Sequence, residues 1–283
     1  MQLYSIETGF FKLDGGAMFG VVPKQIWQKL QPADENNLCN WAMRCLLVEQ
    51  NGKLILFDNG MGNKQNETFF GHYHLNGTDS LEKSLAKHGF CTDDITDMVL
   101  THLHFDHCGG GIQWKKDGLG YEPTFKNAKY WVTQAQWDWA TIAPNAREKA
   151  SFLKENILPM QESGHLHFLD ITQPEIFEGI GYELVFGHTE CMLLPKISLK
   201  NGKKALFCAD LIPSNSHIRL PYVMGYDMRP LQTLTEKQRI LEQAAEQGTA
   251  LIFEHDPKIE ACTIIATEKG IEKAEVLHIS DLN

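Results

Sequence analysis

A chain of 283 residues, 43% hydrophobic and 22% charged, is long enough to bury one large core, and its net charge of −10 disfavours holding a polyanion on a broad basic surface. Nucleic acid is therefore not an expected partner, and no transmembrane run is present in the chain. The seven cysteines, Cys39, Cys45, Cys91, Cys108, Cys191, Cys208 and Cys262, are odd in number and form no CxxC, which fits a reduced, cytoplasmic chain better than a disulfide scaffold. The start, Met1 to Glu7, shows no basic region followed by an apolar one, so no signal peptide is visible, although a removed signal would leave the same trace.

Taken in order, Leu3 to about Val22 reads as short strands around an Asp14-Gly15-Gly16 turn, with Phe10, Phe11, Met18 and Phe19 favoured as core over the roof of a pocket. Two strands follow, Trp41 to Glu49 and Lys53 to Asp58, joined by Asn51-Gly52, a strong hairpin signal. Asp58 either caps the loop after the second strand or supports a site from behind. Asn63 to Gly77 reads as a long polar loop of the kind that carries function; its His72 and His74 have i, i+2 spacing but no acidic ligand after them, and are set aside. Asp79 to His88 reads as a helix stopped by Gly89, and Asp97 to Thr101 as a strand.

That strand delivers Thr101-His102-Leu103-His104-Phe105-Asp106-His107-Cys108-Gly109-Gly110, a concentration of three imidazoles and a carboxylate. Residues two apart on an extended segment share a face, so His102 and His104 can point at one ion. If the chain then curls, Asp106 and His107 face a second direction. Imidazole nitrogen and carboxylate oxygen suit zinc and other first-row divalent ions, and two ligand pairs this close suggest two metals. A hydrogen-bonded histidine cluster is the alternative, disfavoured because such groups are costly to bury without a metal. Gly109-Gly110-Gly111 lets the backbone turn sharply and approach a buried centre.

Beyond the glycines, Trp114 to Gly118 reads as a surface hairpin and Lys129 to Thr133 as a strand. Residues 134–160 form a helical insert, broken at Pro144 and ended near Pro159, whose Trp137, Trp139 and Phe152 pack on the sheet or cap a cleft. His165-Leu166-His167 with Asp170 imitates a metal motif but lacks the adjacent Asp-His pair and the glycines, and reads as plain strand. The strand Gly181 to Phe186 ends at Gly187-His188-Thr189. A hairpin of Met192 to Leu199 and Lys203 to Ala209, turning at Asn201-Gly202, ends at Asp210. Thr235-Glu236-Lys237-Gln238 reads as a capping box opening a helix that stops near Gly248, and the strand Thr249 to Phe253 ends at Glu254-His255. Several strands thus end in ligand-type residues, and with no linker or composition shift between them residues 1–283 read as a single layered domain whose strand ends converge at one edge. Cys108, Cys191 and Cys208, near these ligands in sequence, read as small buried filler.

The HxHxDH run with its glycines, then Gly-His-Thr, then Ala-Asp, then a late strand-end histidine, resembles the metallo-β-lactamase-fold hydrolase superfamily. The resemblance extends from the Phe-Asp-Asn-Gly segment at Phe57 to His255. It implies an α/β fold, an αββα sandwich of two facing mixed β-sheets with helices outside, and a binuclear site at one edge. Carried over by position, His102, His104 and His188 hold metal one, Asp106, His107 and His255 hold metal two, Asp210 bridges them, and Asp58 supports the site without being a ligand. The implied cofactors are two divalent ions, zinc first, with manganese, iron or cobalt accepted by the same donors.

Within the superfamily, Gly15-Gly16-Ala17-Met18-Phe19-Gly20, the Thr-His-Leu-His-Phe-Asp-His stretch and Arg219-Leu220-Pro221-Tyr222 look most like the branch of N-acyl-homoserine lactonases and related lactone or phosphotriester hydrolases. The chain departs from the family pattern at Asn59, at Glu190-Cys191, and at Pro213, where well-known members place a tyrosine. Tyr222 or Tyr226 is the candidate for that tyrosine's polarising role, and His217 a candidate substrate contact. The resemblance implies a metal-dependent hydrolase in which a bridging water ionises near ~7 and opens a lactone or ester, with Asp106 or Asp210 handling protons. The partner is a small-molecule substrate, and a homodimer is compatible with the reading. The rival of the same fold is a mononuclear iron oxidoreductase like the persulfide dioxygenases. A nuclease conflicts with the acidic balance.

Overall fold

The computed structural model describes residues 1–200 and 202–283. They group into two compact units, one of residues 1–9 and 43–173, the other of residues 10–42 and 174–283.

In the first unit, Asn51 and Gly52 adopt positive φ (49° and 76°) and close the tight turn their dipeptide predicts, setting Gln50 opposite Lys53. The sheet then turns parallel: Lys53–Phe57 lies beside Asp97–Val99, which is followed by Lys129–Val132 and Leu166–Phe168. The start of Gln2–Asp14 and the end of Leu38–Gln50 complete it. Short, continuously apolar strands are what a parallel sheet covered on both faces requires, and Leu56, Met98 and Tyr130 share one buried core with Leu85, Trp137 and Phe152. Because Phe57 pairs in parallel with Val99, both strands release their chain at the same edge, so Asp58 and the segment from Thr101 to His107 emerge side by side.

Three expectations for this unit change. The polar stretch 63–77 contains a helix, Glu67–Tyr73, capped by the Asn66 side chain on the Phe69 amide. Its Phe69 and Tyr73 lie one turn apart and pack ring to ring at 4.9 Å, an apolar signal hidden among polar neighbours. In the insert, the helices are Gln134–Thr141 and Lys154–Glu162, and Pro159 does not end the second one. The proline carbonyl still accepts the Ser163 amide at 3.0 Å, so the helix closes a turn later. The hairpin at Trp114 is longer than the sequence suggests, pairing Ile112–Trp114 with Tyr121–Pro123.

In the second unit, Asp14 does not sit in a turn between short strands. It caps a short helix, Gly15–Phe19, accepting the Ala17 amide at 2.8 Å. Gly15 is required there, because a Cβ would lie 2.3 Å from the Trp27 ring. Phe11, Met18 and Phe19 are buried, as the core reading expects, while Phe10 is only half-buried. The sheet of this unit runs Gly270–Leu277, Ala261–Thr267, Ala250–Ile252, Lys204–Phe207, Met192–Ser198, Ile180–Val185, Glu175–Phe177. Only Lys204–Phe207 and Ala250–Ile252 pair in parallel among the described residues. Ile180–Val185 is separated from Lys204–Phe207 by one antiparallel strand and so points the same way. Three strands therefore end at one edge, those that lead to His188, Asp210 and His255.

The hairpin between Met192–Ser198 and Lys204–Phe207 forms as expected, although Asn201 of its turn lies outside the described residues. The long helix is Pro230–Gln247, starting before Thr235 because proline suits the first helical position. Thr235 lies inside it, its hydroxyl donating to the Leu231 carbonyl. Gly248 ends the helix at φ 63°. Each unit thus carries a mixed sheet with helices. Among the described residues no disulfide joins the seven cysteines, and no helix is long and apolar enough to cross a membrane.

Candidate metal centre

In the first unit the site is built outward from Asp58. Held at φ 57°, this buried aspartate turns back under the next strand end. It accepts the Thr101 amide at 2.8 Å, the Thr101 hydroxyl at 2.6 Å and His107 Nδ1 at 3.0 Å. The early aspartate thus supports the motif from behind. Thr101 spends its one hydroxyl hydrogen on Asp58, so it can only accept from His102 Nδ1, 3.0 Å away. That leaves His102 Nε2 as a lone pair.

His104 is fixed by a residue the sequence did not single out. Its Nε2 lies 2.9 Å from Glu148 Oε1, and a carboxylate only accepts, so His104 Nδ1 is also a lone pair. The two lone-pair nitrogens, His102 Nε2 and His104 Nδ1, stand 3.0 Å apart. Lone pairs repel, and a cation relieves both. His107 presents Nε2 by the same logic, 3.8 Å from Asp106 Oδ2, making the second pair. Gly109 and Gly110 allow this curl by close approach: a Cβ on either would meet the Met61 or Asn59 carbonyl oxygen at 2.1 Å.

In the second unit His255 directs Nδ1 to the Ala42 carbonyl at 2.8 Å, leaving Nε2 as a lone pair 3.0 Å from Asp210 Oδ1. His188 directs Nδ1 to Asp227 Oδ1 at 2.8 Å, with Nε2 3.1 Å from Asp210 Oδ2. Burial opposes protonation of His188, yet Asp210 and Asp227 outweigh it and push the imidazole up to about 10. Asp210 so placed offers one oxygen to each of two histidines. Ala209, just before it, is held at φ 41°, a costly conformation for a residue with a Cβ. The loop carrying His188 is clamped by the long helix: Glu236 accepts the amides of Phe186 and Gly187, and a Cβ on Gly187 would strike Thr233. Glu190, at the family departure, is paired with Arg229 at 2.7 Å.

The donor set fits divalent metal in both units. His102 and His104, Asp106 and His107, and His188 with Asp210 each bring ligand atoms within 4.8 Å of one another. Every one of these five histidines has its other nitrogen beside an acceptor, the arrangement that fixes tautomer and ring orientation in metal sites. Asp227, Glu148 and the Ala42 carbonyl were missed in the sequence because nothing in their local pattern marks them.

Other candidates fall away. His72 and His74 are exposed on or beside the Glu67–Tyr73 helix, and His165 bonds to Ser163 and the Lys126 carbonyl. His217 is buried with Nδ1 on Ser214, Nε2 on the Met18 carbonyl, and its ring stacked on Phe19 at 4.6 Å. With no exposed surface and both nitrogens engaged it is placed for packing, and burial pushes it down to about 3. Tyr222 is buried with its ring edge-on to Phe19, while Tyr226 is 38% exposed. Burial pushes the Cys108 thiol up to about 12 and Cys208 well above its ordinary value, which fits filler. Beside the ligands, Phe105 packs against Phe69 at 5.4 Å and Tyr73 at 4.7 Å, giving an aromatic surface next to His104 and Asp106 in the chain.

Comparison with known proteins agrees with this chemistry. The profile of the Metallo-beta-lactamase superfamily matches residues 44–255. An N-acyl homoserine lactonase of Bacillus thuringiensis is 25% identical over 268 residues, covering 90% of this chain and 93% of the relative. One from Bacillus cereus is 28% identical over 233 residues, covering 78% and 83%. Among solved structures, a probable metal-dependent hydrolase from Staphylococcus aureus superposes with a TM-score of 0.86 at 29% identity, covering 98% of this chain and 96% of that one. AidC, a dizinc quorum-quenching lactonase in complex with its product, gives 0.77 at 24% identity over 98% and 94%, a likeness of fold.

Proposed function

Because the chain belongs to the metallo-beta-lactamase superfamily, as a metal-dependent hydrolase, we propose that it opens lactones or esters of small molecules, N-acyl-homoserine lactones first among them. On this reading residues 1–283 work as one catalytic domain. His102, His104 and His188 would hold one ion and Asp106, His107 and His255 a second, with Asp210 serving both. The observation that carries it is that each of the five histidines has one ring nitrogen held by an acceptor, which aims the other at the ligand cluster of its own unit.

Bound there, two divalent ions, zinc in first place, supply Lewis acidity toward the substrate carbonyl and make water acidic enough to ionise near neutral pH. The chain's own residues do the rest. Asp210, with an oxygen toward each of two histidines, is placed to share its charge between two ions. Asp106 or Asp210, both buried carboxylates, would take up and return protons during ring opening. Asp58 accepts from His107 Nδ1 and so leaves Nε2 as the nitrogen offered to the reaction. The Phe69, Tyr73 and Phe105 rings offer apolar surface to an acyl chain. Tyr73 is a neutral donor at working pH, since burial and Asp106 push its phenol up to about 12.

The test is the metal-reconstituted enzyme assayed side by side on acyl-homoserine lactones, aryl esters, thioesters and phosphotriesters, with metal content and oxygen uptake recorded. Lactone hydrolysis with two ions per chain is the expected result. Oxygen consumption with one iron per chain would overturn it.

A further inference from the structure

We propose that Glu148 is the positioning residue of His104, and that through it the helical insert sets which imidazole nitrogen is offered to metal. The inference rests on the two-metal reading above. Glu148 is 1% exposed, and a buried carboxylate is costly unless its oxygens are occupied. They are divided between two tasks. Oε2 takes the Trp139 indole N–H at 2.7 Å and the Asn145 amide at 3.2 Å, both from the insert, while Oε1 faces His104 Nε2 at 2.9 Å.

Neither Trp139 nor the Asn145 amide nitrogen can accept, so both donate to Oε2 and fix the carboxylate with Oε1 aimed at His104. An accepting Oε1 in turn keeps the proton of His104 on Nε2 and the lone pair on Nδ1, the nitrogen that stands 3.0 Å from His102 Nε2. The backbone is prepared for this as well. Asn145 Oδ1 accepts the amides of Arg147 and Glu148, which fixes the turn that delivers Glu148. The insert, read from sequence as packing or as a cap over a cleft, thereby gains a defined role: it carries the carboxylate partner of a ligand 44 residues away in the chain.

The experiment measures zinc affinity of the metal-stripped chain by competition with a chromophoric chelator, for wild type, Glu148→Gln and Trp139→Phe, with thermal unfolding of each metal-free protein recorded alongside. A glutamine can still accept from His104 but lacks the charge and brings an amide N–H that Trp139 and Asn145 cannot accept. Glu148→Gln is expected to weaken zinc binding roughly 10–100-fold at the site that uses His104. Trp139→Phe, which leaves the Oε1 contact in place, is expected to lower the melting temperature while changing zinc affinity less than about threefold. Zinc affinity of folded Glu148→Gln within twofold of wild type would overturn the inference and leave the two-metal reading standing. So would equal losses of affinity in both variants, because the insert would then act only through its docking. Wild-type protein that takes up no zinc would overturn the two-metal reading itself.

Discussion

Gly110→Ala tests whether the curl of the histidine motif depends on close approach. An alanine Cβ at 110 would lie 2.1 Å from the Asn59 carbonyl oxygen, so reaching an ordinary contact of 3.4 Å requires the two segments to part by roughly 1.3 Å (3.4 minus 2.1). Two backbone bonds hold them together there, Asn59 N–H to the His107 carbonyl and Gly110 N–H to the Gly60 carbonyl, each 2.9 Å. Parting by that much breaks both. Two buried bonds at about 1 kcal/mol each, plus about 1–3 kcal/mol of overpacking, give a loss of about 3–5 kcal/mol. Against a total stability of about 5–15 kcal/mol this is a large fraction. Urea unfolding of metal-free protein measures it without interference from metal binding. Gly71→Ala is the control: it lies within the Glu67–Tyr73 helix, a Cβ there meets nothing within 4 Å, and a gain of about 0.5–1 kcal/mol is expected. A Gly110→Ala protein within about 1 kcal/mol of wild type, at unchanged m-value, would refute the reasoning.

His104→Ala and Asp210→Ala should each lower hydrolysis more than about 100-fold, and chelation of the wild type should do the same reversibly; full activity in either variant after chelation would sink the dinuclear mechanism. Asp227→Ala removes the acceptor on His188 Nδ1 and should lower zinc affinity roughly 10–100-fold, read by chelator competition, with no change refuting the role assigned to Asp227. Lys237 gives a pH signature. Burial pushes its ammonium down to about 7, with Asp227 opposing, while Nζ donates to the Arg219 and Tyr222 carbonyls. The unfolded chain therefore binds the extra proton between about pH 7 and pH 10.5, and stability should rise across that window by up to a few kcal/mol. Lys237→Met should flatten the rise in urea unfolding, and an unchanged pH slope would refute it.

What was legible in the sequence is what is encoded locally. The Asn51-Gly52 turn follows from dihedral preference alone, and the ligand run 102–107 from spacing on a strand end. Asp58, His188, Asp210 and His255 could be found because each follows a short apolar strand, and the parallel pairings place those ends together within each unit. The misread elements have local causes of their own. Asn66 caps a helix through its side chain, a signal easily taken for loop polarity. Thr235 and Glu236 have the spacing of a capping box, but Pro230 begins the helix earlier, and Glu236 is used instead to hold the amides that lead into His188.

The other half of the site follows from a different rule. A motif specifies which residues are ligands but not which nitrogen each one offers, because that depends on where the remaining ring nitrogen finds an acceptor. Here the acceptors are chemically unlike and distant in sequence. His102 is held by a threonine hydroxyl, His107 by Asp58, His104 by Glu148, His188 by Asp227 and His255 by the Ala42 carbonyl. The consequence is clearest at His102 and His104. On a regular strand both would present the same nitrogen, yet His102 offers Nε2 and His104 offers Nδ1. That combination brings the two lone pairs to within 3.0 Å of each other where the chain begins to curl toward Asp106. The tertiary partner, not the spacing, thus decides the geometry in which two adjacent ligands meet an ion.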